Sequence, residues 1–359
     1  MALSLVTAGE SHGPALVAIL TGLPAGLLLD KPTIDSDLHR RQQGYGRSPR
    51  QQIERDEVEV LAGLRHGRTL GTPLALVVRN RDHKNWEWGM SSWQPEGESS
   101  GKGTKEVTLP RPGHADLAGA MKYGLSDVRD VLERASARHT AVIVAAGSVA
   151  KALLSEIGVS VAGHVITADL EQLVDEARAV RDTIGGVVEV RARGVPPGLG
   201  SYATKDDRLD ARLAATLMGT QAVKGVEIGE GFGLASKRGS AAHDEILRDD
   251  RGLYRETNRA GGIEGGVSNG EEIVVRAAMK PLPTLMKPLA SVDLQTGEPA
   301  QALVERSDTA AVEALSVVAE ACVAWELARA ARDKFGGDAL GDFLAAHRVY
   351  LERIDWSPR

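Results

Sequence analysis

Four arginines crowd one short stretch, His39-Arg40-Arg41-Gln42-Gln43-Gly44-Tyr45-Gly46-Arg47-Ser48-Pro49-Arg50. A guanidinium meets a carboxylate or a phosphate through two parallel hydrogen bonds, so such a cluster suits a small polyanion. A solvated basic loop or an RNA contact would use the same residues, but only Tyr45 offers a base a stacking surface there. Two imidazoles stand in stiff or glycine-flanked settings. His12 lies in Gly9-Glu10-Ser11-His12-Gly13, and His114 in Pro110-Arg111-Pro112-Gly113-His114-Ala115-Asp116. An imidazole exchanges protons near neutrality, and prolines with a glycine give it a rigid mount close to a ligand. Each also has a plainer reading, His12 as a turn residue and His114 as the cap of a following helix. Ser136 and the arginines of Glu133-Arg134-Ala135-Ser136-Ala137-Arg138 read as anion donors opening a long helix. In Glu305-Arg306-Ser307-Asp308, Ser307 or Asp308 reads as an N-cap. Lys280-Pro281-Leu282-Pro283-Thr284 is a stiff turn whose lysine and threonine could hold a phosphate or end a strand.

Other chemistries find no support. The sequence has no Walker loop, no dinucleotide fingerprint in a strand-to-helix context, and no Gly-x-Ser-x-Gly elbow. No His, Cys and carboxylate set has metal-ligand spacing. A net charge of −6 argues against a general nucleic-acid binder. The single cysteine, Cys322, sits in an Ala/Val-rich helical pattern and reads as structural in a reducing compartment. The N-terminus lacks the pattern of a secretory signal. The longest apolar run, near Ala141–Leu154, is interrupted and short for a membrane span, so the expectation is a soluble cytoplasmic protein. The residues alone lead to an enzyme for a polyanionic small molecule that uses arginines and two histidines.

Certain elements must position those groups. Apolar residues are 42% of the 359 but aromatics only 4%, and there are 40 glycines, so the core must be built from Ala, Val, Leu and Ile in close packing. Leu3–Val6, Val17–Leu29 (with a turn at Gly22–Gly26), Val58–Leu61 and Leu74–Val78 read as strand material. Thr33 is expected to cap a helix through about Gln43, and long helices are expected over Arg138–Ile157 and Thr309–Lys334. Asp82–Leu109, with Trp86, Trp88 and Trp93, reads as a long loop or a lid. Signals recur in one order. Gly22-Leu-Pro-Ala-Gly26 is echoed by Gly194-Val-Pro-Pro-Gly198, the glycines at 63, 67 and 71 by those at 262, 266 and 270, and Glu133–Ser136 by Glu305–Asp308. A duplication follows, with halves of about 1–160 and 185–335 in one domain spanning 1–359. Strands and helices without regular βαβ alternation favour the α+β class.

In their order, Gly9–Gly13, Arg40–Arg47, Arg111–Asp116 with Lys122-Tyr123-Gly124, Glu133–Arg138, Gln221–Gly229, Asn258–Gly266, Lys280–Thr284 and Arg306–Asp308 resemble the chorismate synthase family over nearly the whole chain. The resemblance implies a β-α-β sandwich of two similar halves related by a pseudo-twofold. It implies a lyase of the shikimate pathway, eliminating phosphate 1,4 from 5-enolpyruvylshikimate 3-phosphate to give chorismate, with reduced FMN required and no net oxidation. By the same resemblance, Arg41, Arg47, Arg50, Arg111 and Arg138 grip the substrate, and Arg41 and Arg47 are also tied to NADP. FMN contacts fall to Arg134, Ala135, Ser136, Gln221, Ala222, Gly265, Lys280, Pro281, Leu282, Pro283, Thr284 and Arg306. His12 would protonate the leaving phosphate, His114 would stabilise the reduced flavin, and Asp308 would help the flavin take the ring proton. A homotetramer is implied, with NADPH as a conceivable reductant and with neither nucleic acid nor membrane as partner. The chain departs from the family at His139-Thr140 and Ile143, where Glu-Thr and then an arginine are usual, and His139 is expected to keep a neutral hydrogen bond there. The competing readings are a true flavin oxidoreductase and an RNA- or partner-binding module.

Overall fold

The computed structural model describes residues 2–47, 55–250, 252–305 and 307–355, so Arg50 and Arg306 lie outside the described residues. The first half runs β1 (Ser4–Ala8), β2 (Ala15–Thr21), α1 (Lys31–Gln42), β3 (Val58–Ala62), β4 (Leu74–Arg79) and α2 (Thr140–Ser155). The second runs β5 (Ser160–Val165), β6 (Gly186–Arg193), α3 (Leu209–Met218), β7 (Val223–Ile228), β8 (Ile273–Met279) and α4 (Val312–Phe335). Each half forms a four-stranded antiparallel sheet of the same order, β1-β2-β4-β3 and β5-β6-β8-β7. The second sheet thus begins at Ser160, ahead of the expected start at 185.

Alternation makes the inner faces. Leu16, Ala18 and Leu20 of β2 and Leu74, Leu76 and Val78 of β4 are fully buried, as are Val188, Val190 and Ala192 of β6. The helices fill the space between the sheets: α2 packs on α4 and on β2 and β4, while α4 packs on β5 and β6. This gives the α+β sandwich of sheet, helices and sheet. A helix in such a middle layer is apolar nearly all round, and α4 is buried through most of its length. Close approach explains the alanine and glycine content. A Cβ placed on Gly147 of α2 would lie 2.3 Å from Ala321 Cβ of α4, so only a hydrogen fits there. The run Arg129–Ser155 is apolar and long enough to match a membrane span, but it breaks at Ser136 and 67% of its apolar window is buried in this core.

The central glycines of the two recurring sets, Gly67 and Gly266, have one structural cause. In each half the ladder forms a small hairpin, Leu64–Thr69 and Ile263–Ser268, closed by a two-residue turn. Both turn residues have positive φ, His66 and Gly67 in one and Gly265 and Gly266 in the other, as the tight turn of a right-twisted hairpin demands.

Several expected boundaries shift. The oxygen that caps α1 belongs to Asp30, which accepts from the Thr33 N–H at 3.0 Å, because Pro32 occupies the first turn and moves the start upstream. Val17–Leu29 is a strand only to Thr21, and Gly22 and Gly26 with positive φ turn the chain away. Glu133, Arg134 and Ala135 end the helix Arg129–Ala135 instead of opening the long one, and Ser136, in extended backbone, then accepts from Arg138 N–H to start the turn 137–139. The helix α4 begins at Val312, and neither Ser307 nor Asp308 caps it. Leu340–Ile354 adds a helix that the sequence reading did not mark.

Candidate active site

A cavity of about 510 Å³ opens where the segments before α2 and α4 meet the loops 110–115 and 279–284. Its wall brings together His12, Arg41, Arg47, Arg111, His114, Ala135, Ser136 and Arg138 from the first half. From the second half come Gln221, Ala222, Lys280, Leu282, Pro283, Thr284 and Asp308. Arg134, Pro281 and Gly265 do not line it. Arg134 turns inward to the carbonyls of Gly9 and Thr7, at 3.0 and 3.1 Å, and Gly265 is spent on the hairpin turn.

The arginines arrive already aimed. Asp56, with no exposed side-chain surface, accepts from Arg41 Nη2 at 2.7 Å and from Arg138 Nη1 at 2.7 Å on each oxygen. Arg138 Nε also donates to Asn80 Oδ1 at 2.9 Å. Burial pushes the Arg41 pKa down to about 10 against the pull of Asp56. For Asp56 itself burial acts upward, but Arg138 and Arg41 outweigh it and hold the carboxyl below its usual range. Across the cavity Arg47 Nη1 meets Asp308 Oδ2 at 2.8 Å, joining the two halves. The Nε atoms of Arg41 and Arg47 are buried without a hydrogen-bond partner among the described residues, which leaves donors for a bound anion.

Each histidine leans on a carboxylate. His12 Nδ1 lies 2.9 Å from both oxygens of Glu133. His114 Nδ1 lies 2.5 Å from Asp116 Oδ1, and the other Asp116 oxygen accepts from Arg111 Nε at 2.8 Å. Burial raises the Asp116 pKa, but hydrogen bonds from His114 and then Arg111 more than reverse it and hold the carboxylate far below its ordinary range. A carboxylate can only accept, so it draws the proton of a neutral imidazole to Nδ1 and makes Nε2 the nitrogen that exchanges protons. Asp116 therefore orients His114 and Arg111 together, and His114 is not the helix cap. Arg111 Nη1 donates to Thr284 Oγ1 at 2.9 Å, and Lys280 Nζ donates to the Gly113 carbonyl, so the loops of the two halves hold each other. Ala222 has φ of +69°, rare for a residue with a Cβ, and its carbonyl accepts from Lys280 N–H at 3.0 Å.

Trp86 lies in the segment whose sequence suggests a long loop or a lid. It is buried, and its ring stacks on His12 at 3.9 Å between centroids. The loop is tied down there, since Asp82 accepts from Trp86 Nε1 at 3.0 Å and from Lys102 Nζ at 3.3 Å. Asp56, Asp116, Glu133 and Trp86 are the site's supports that the sequence reading did not assign.

His139 lies beside the cavity, its Nε2 2.6 Å from Thr7 Oγ1, and with Ile143 it lines an adjoining hollow of about 200 Å³. Burial and then the charge of Arg134 push its pKa from 6.5 down to about 4, which keeps the imidazole neutral at pH 7. The unfolded chain takes up this proton near 6.5 and the folded chain only near 4, so stability is lost as pH falls through that window. His139→Asn is expected to flatten the dependence of urea stability on pH between 6.5 and 4. An unchanged slope would assign the effect elsewhere.

The comparison with known proteins decides the family. The model of the chorismate synthase family matches residues 3–172 and 165–331. The chain belongs to the chorismate synthase family. The chorismate synthase of Desulforudis audaxviator is 52% identical over 386 aligned positions, covering 98% of each chain. That of Geobacillus kaustophilus is 52% identical, covering 93% of this chain and 95% of its own. A crystal structure of a chorismate synthase superposes with a TM-score of 0.78 at 35% identity, covering 99% of both chains. The family's fold is therefore also this chain's fold, the sandwich of two like sheets around a helical layer.

Proposed function

We propose that the chain converts 5-enolpyruvylshikimate 3-phosphate into chorismate and phosphate with the help of reduced FMN. The observation that carries this reading is the convergence of four arginines and two carboxylate-held histidines on one cavity from both halves of the chain. A substrate with two carboxylates and a phosphate needs several fixed cations, and Arg41, Arg47, Arg111 and Arg138 supply them in paired, pre-aimed form. The cavity also suits a flavin phosphate and ring, with Ser136, Thr284 and Lys280 as donors and Leu282, Pro283 and Ala135 as apolar wall. When bound, reduced FMN supplies an electron-rich ring that assists the elimination and ends it in the redox state in which it began.

The protein's own residues handle charge and protons. As the C–O bond to phosphate breaks, its electrons leave with the phosphate, and arginine charge lowers the cost of that departure. His12 Nε2 is assigned the delivery of a proton to the leaving group, and His114 Nε2 the donation of one toward the flavin. Asp308, steadied by Arg47, is assigned a part in passing on the proton lost from the ring.

We also propose a homotetramer. The accessible surface is 18195 Å², against about 14,000 Å² for a globular monomer of this mass, and the outer row Val6, Ile19 and Ala75 of the first sheet includes exposed apolar side chains. A cytoplasmic setting and NADPH as source of reduced flavin belong to the same reading. Its test is an anaerobic assay of the pure protein with substrate and chemically reduced FMN, following chorismate absorbance. Product is expected without nicotinamide. Product formation only with matched consumption of NADPH would support a net oxidoreductase instead, and salt-sensitive RNA binding without product would support a binding module.

A further inference from the structure

His12 is held from behind by residues that do not line the cavity. Glu133, buried on the helix Arg129–Ala135, accepts from the His12 backbone N–H at 2.9 Å and from Nδ1 at 2.9 Å. Trp86 stacks on the imidazole with 18° between planes. Arg129, one turn before Glu133, lies 3.5 Å from Glu133 Oε1 and 5.1 Å above the Trp86 ring. The Ser11 N–H donates to the Glu133 carbonyl at 2.9 Å, so the backbone on both sides of the site is joined as well.

We propose that Glu133 is a positioning residue for the elimination, fixing His12 as its Nδ1–H tautomer so that Nε2 serves the reacting group, with Trp86 holding the ring plane. The proposal rests on the assignment of His12 as proton donor to the phosphate. Its logic lies in the acceptor count. A carboxylate offers lone pairs to the backbone N–H and to Nδ1–H at once and has no hydrogen to give. A glutamine would offer its one oxygen to the backbone N–H and turn its NH2 toward Nδ1, which moves the imidazole proton to Nε2. The neutral ring would then carry its one proton on Nε2 and could give it up only by becoming an imidazolate, whereas the native ring, loaded at Nε2 as an imidazolium, returns to the neutral Nδ1–H form when it delivers that proton. Burial makes this choice strict, because a donor facing a donor without water disfavours the wrong tautomer by about tenfold.

The test uses the full chain labelled with ¹⁵N-histidine, at a pH where the ring is neutral. Native His12 is expected to give the nitrogen shifts of an Nδ1–H imidazole, and E133Q those of an Nε2–H imidazole. In the anaerobic assay E133Q should lose about 100-fold or more in kcat, with KM within about threefold, while E133D recovers most of the loss. A merely structural glutamate would lower yield or stability without exchanging the tautomer. An Nε2–H tautomer in the native protein, which needs no variant to fold, would overturn the proposal. So would E133Q with an unchanged tautomer or near-native kcat. H12N distinguishes the two layers: full activity in H12N removes the catalytic role of His12, whereas loss in H12N with no effect of E133Q removes only the role of Glu133.

Discussion

Asp56→Ala is expected to destabilise the folded chain by about 3–5 kcal/mol, the cost of breaking a buried ion pair from one side. Asp56 is the common acceptor of Arg41 and Arg138, and its side chain has no exposed surface. Removing it leaves two guanidinium groups close together, one of them already pushed down to about 10 by burial and by its neighbour's charge. Thr140 Oγ1, 3.3 Å from Arg41 Nη1, and Asn80 Oδ1 remain, but neither carries charge. Urea denaturation at fixed protein concentration measures the loss, and Arg41→Met placed on top of Asp56→Ala should return part of it by removing one uncompensated cation. Because the same arginines face the cavity, a high concentration of inorganic phosphate should stabilise Asp56→Ala more than the native protein. A variant within about 1 kcal/mol of native stability would show that the arginines are solvated well enough without their shared carboxylate.

The same pair explains what the sequence could reveal. Arg40–Arg50 was conspicuous because like residues sit together in the chain, and His12 and His114 because glycine or proline frames them. Their partners carry no such mark. Glu133 is 121 positions from His12, and Asp56 is 82 from Arg138, so each reads locally as one more surface acid. Asp116 lay inside a quoted motif, yet its contact with both Arg111 and His114 depends on a turn that only the fold reveals. Trp86 looked like part of an unpatterned loop because its packing partner is the imidazole of a distant strand end. The architecture was more legible. Period-two apolar runs and the two glycine ladders are set by local backbone geometry, so the halves could be matched before the sheets were known. Helix ends were not, since Asp30 and Thr33 can both cap and the choice fell to the stronger cap ahead of the proline between them. Lys280–Thr284 stood out as a stiff turn with a lysine and a threonine, but Gln221 and Ala222 came into view only through family resemblance, because they supply wall to a cavity whose other side is built by the first half.

His114→Ala should lower kcat by about 10²–10⁴-fold, the span that a positioned acid or base contributes, while leaving the fold nearly intact. The stability part follows from geometry. Removing the imidazole leaves Asp116 still paired with Arg111 through Nε at 2.8 Å and through the Arg111 backbone N–H at 3.0 Å, so the buried carboxylate keeps compensation. Asp116→Asn should behave differently, because it loosens Arg111 and His114 together and so raises substrate KM as well as lowering kcat. Added imidazole should restore part of the His114→Ala rate, since the side chain it replaces lines an open cavity and its anchoring carboxylate is still present. His12→Ala should show a loss of similar size, and the double variant less than the product of the two, as expected for groups that serve one reaction in one cavity. A double variant that retains full activity with reduced FMN would remove both imidazoles from the reaction. The elimination would then have to run on the arginines and the bound flavin alone.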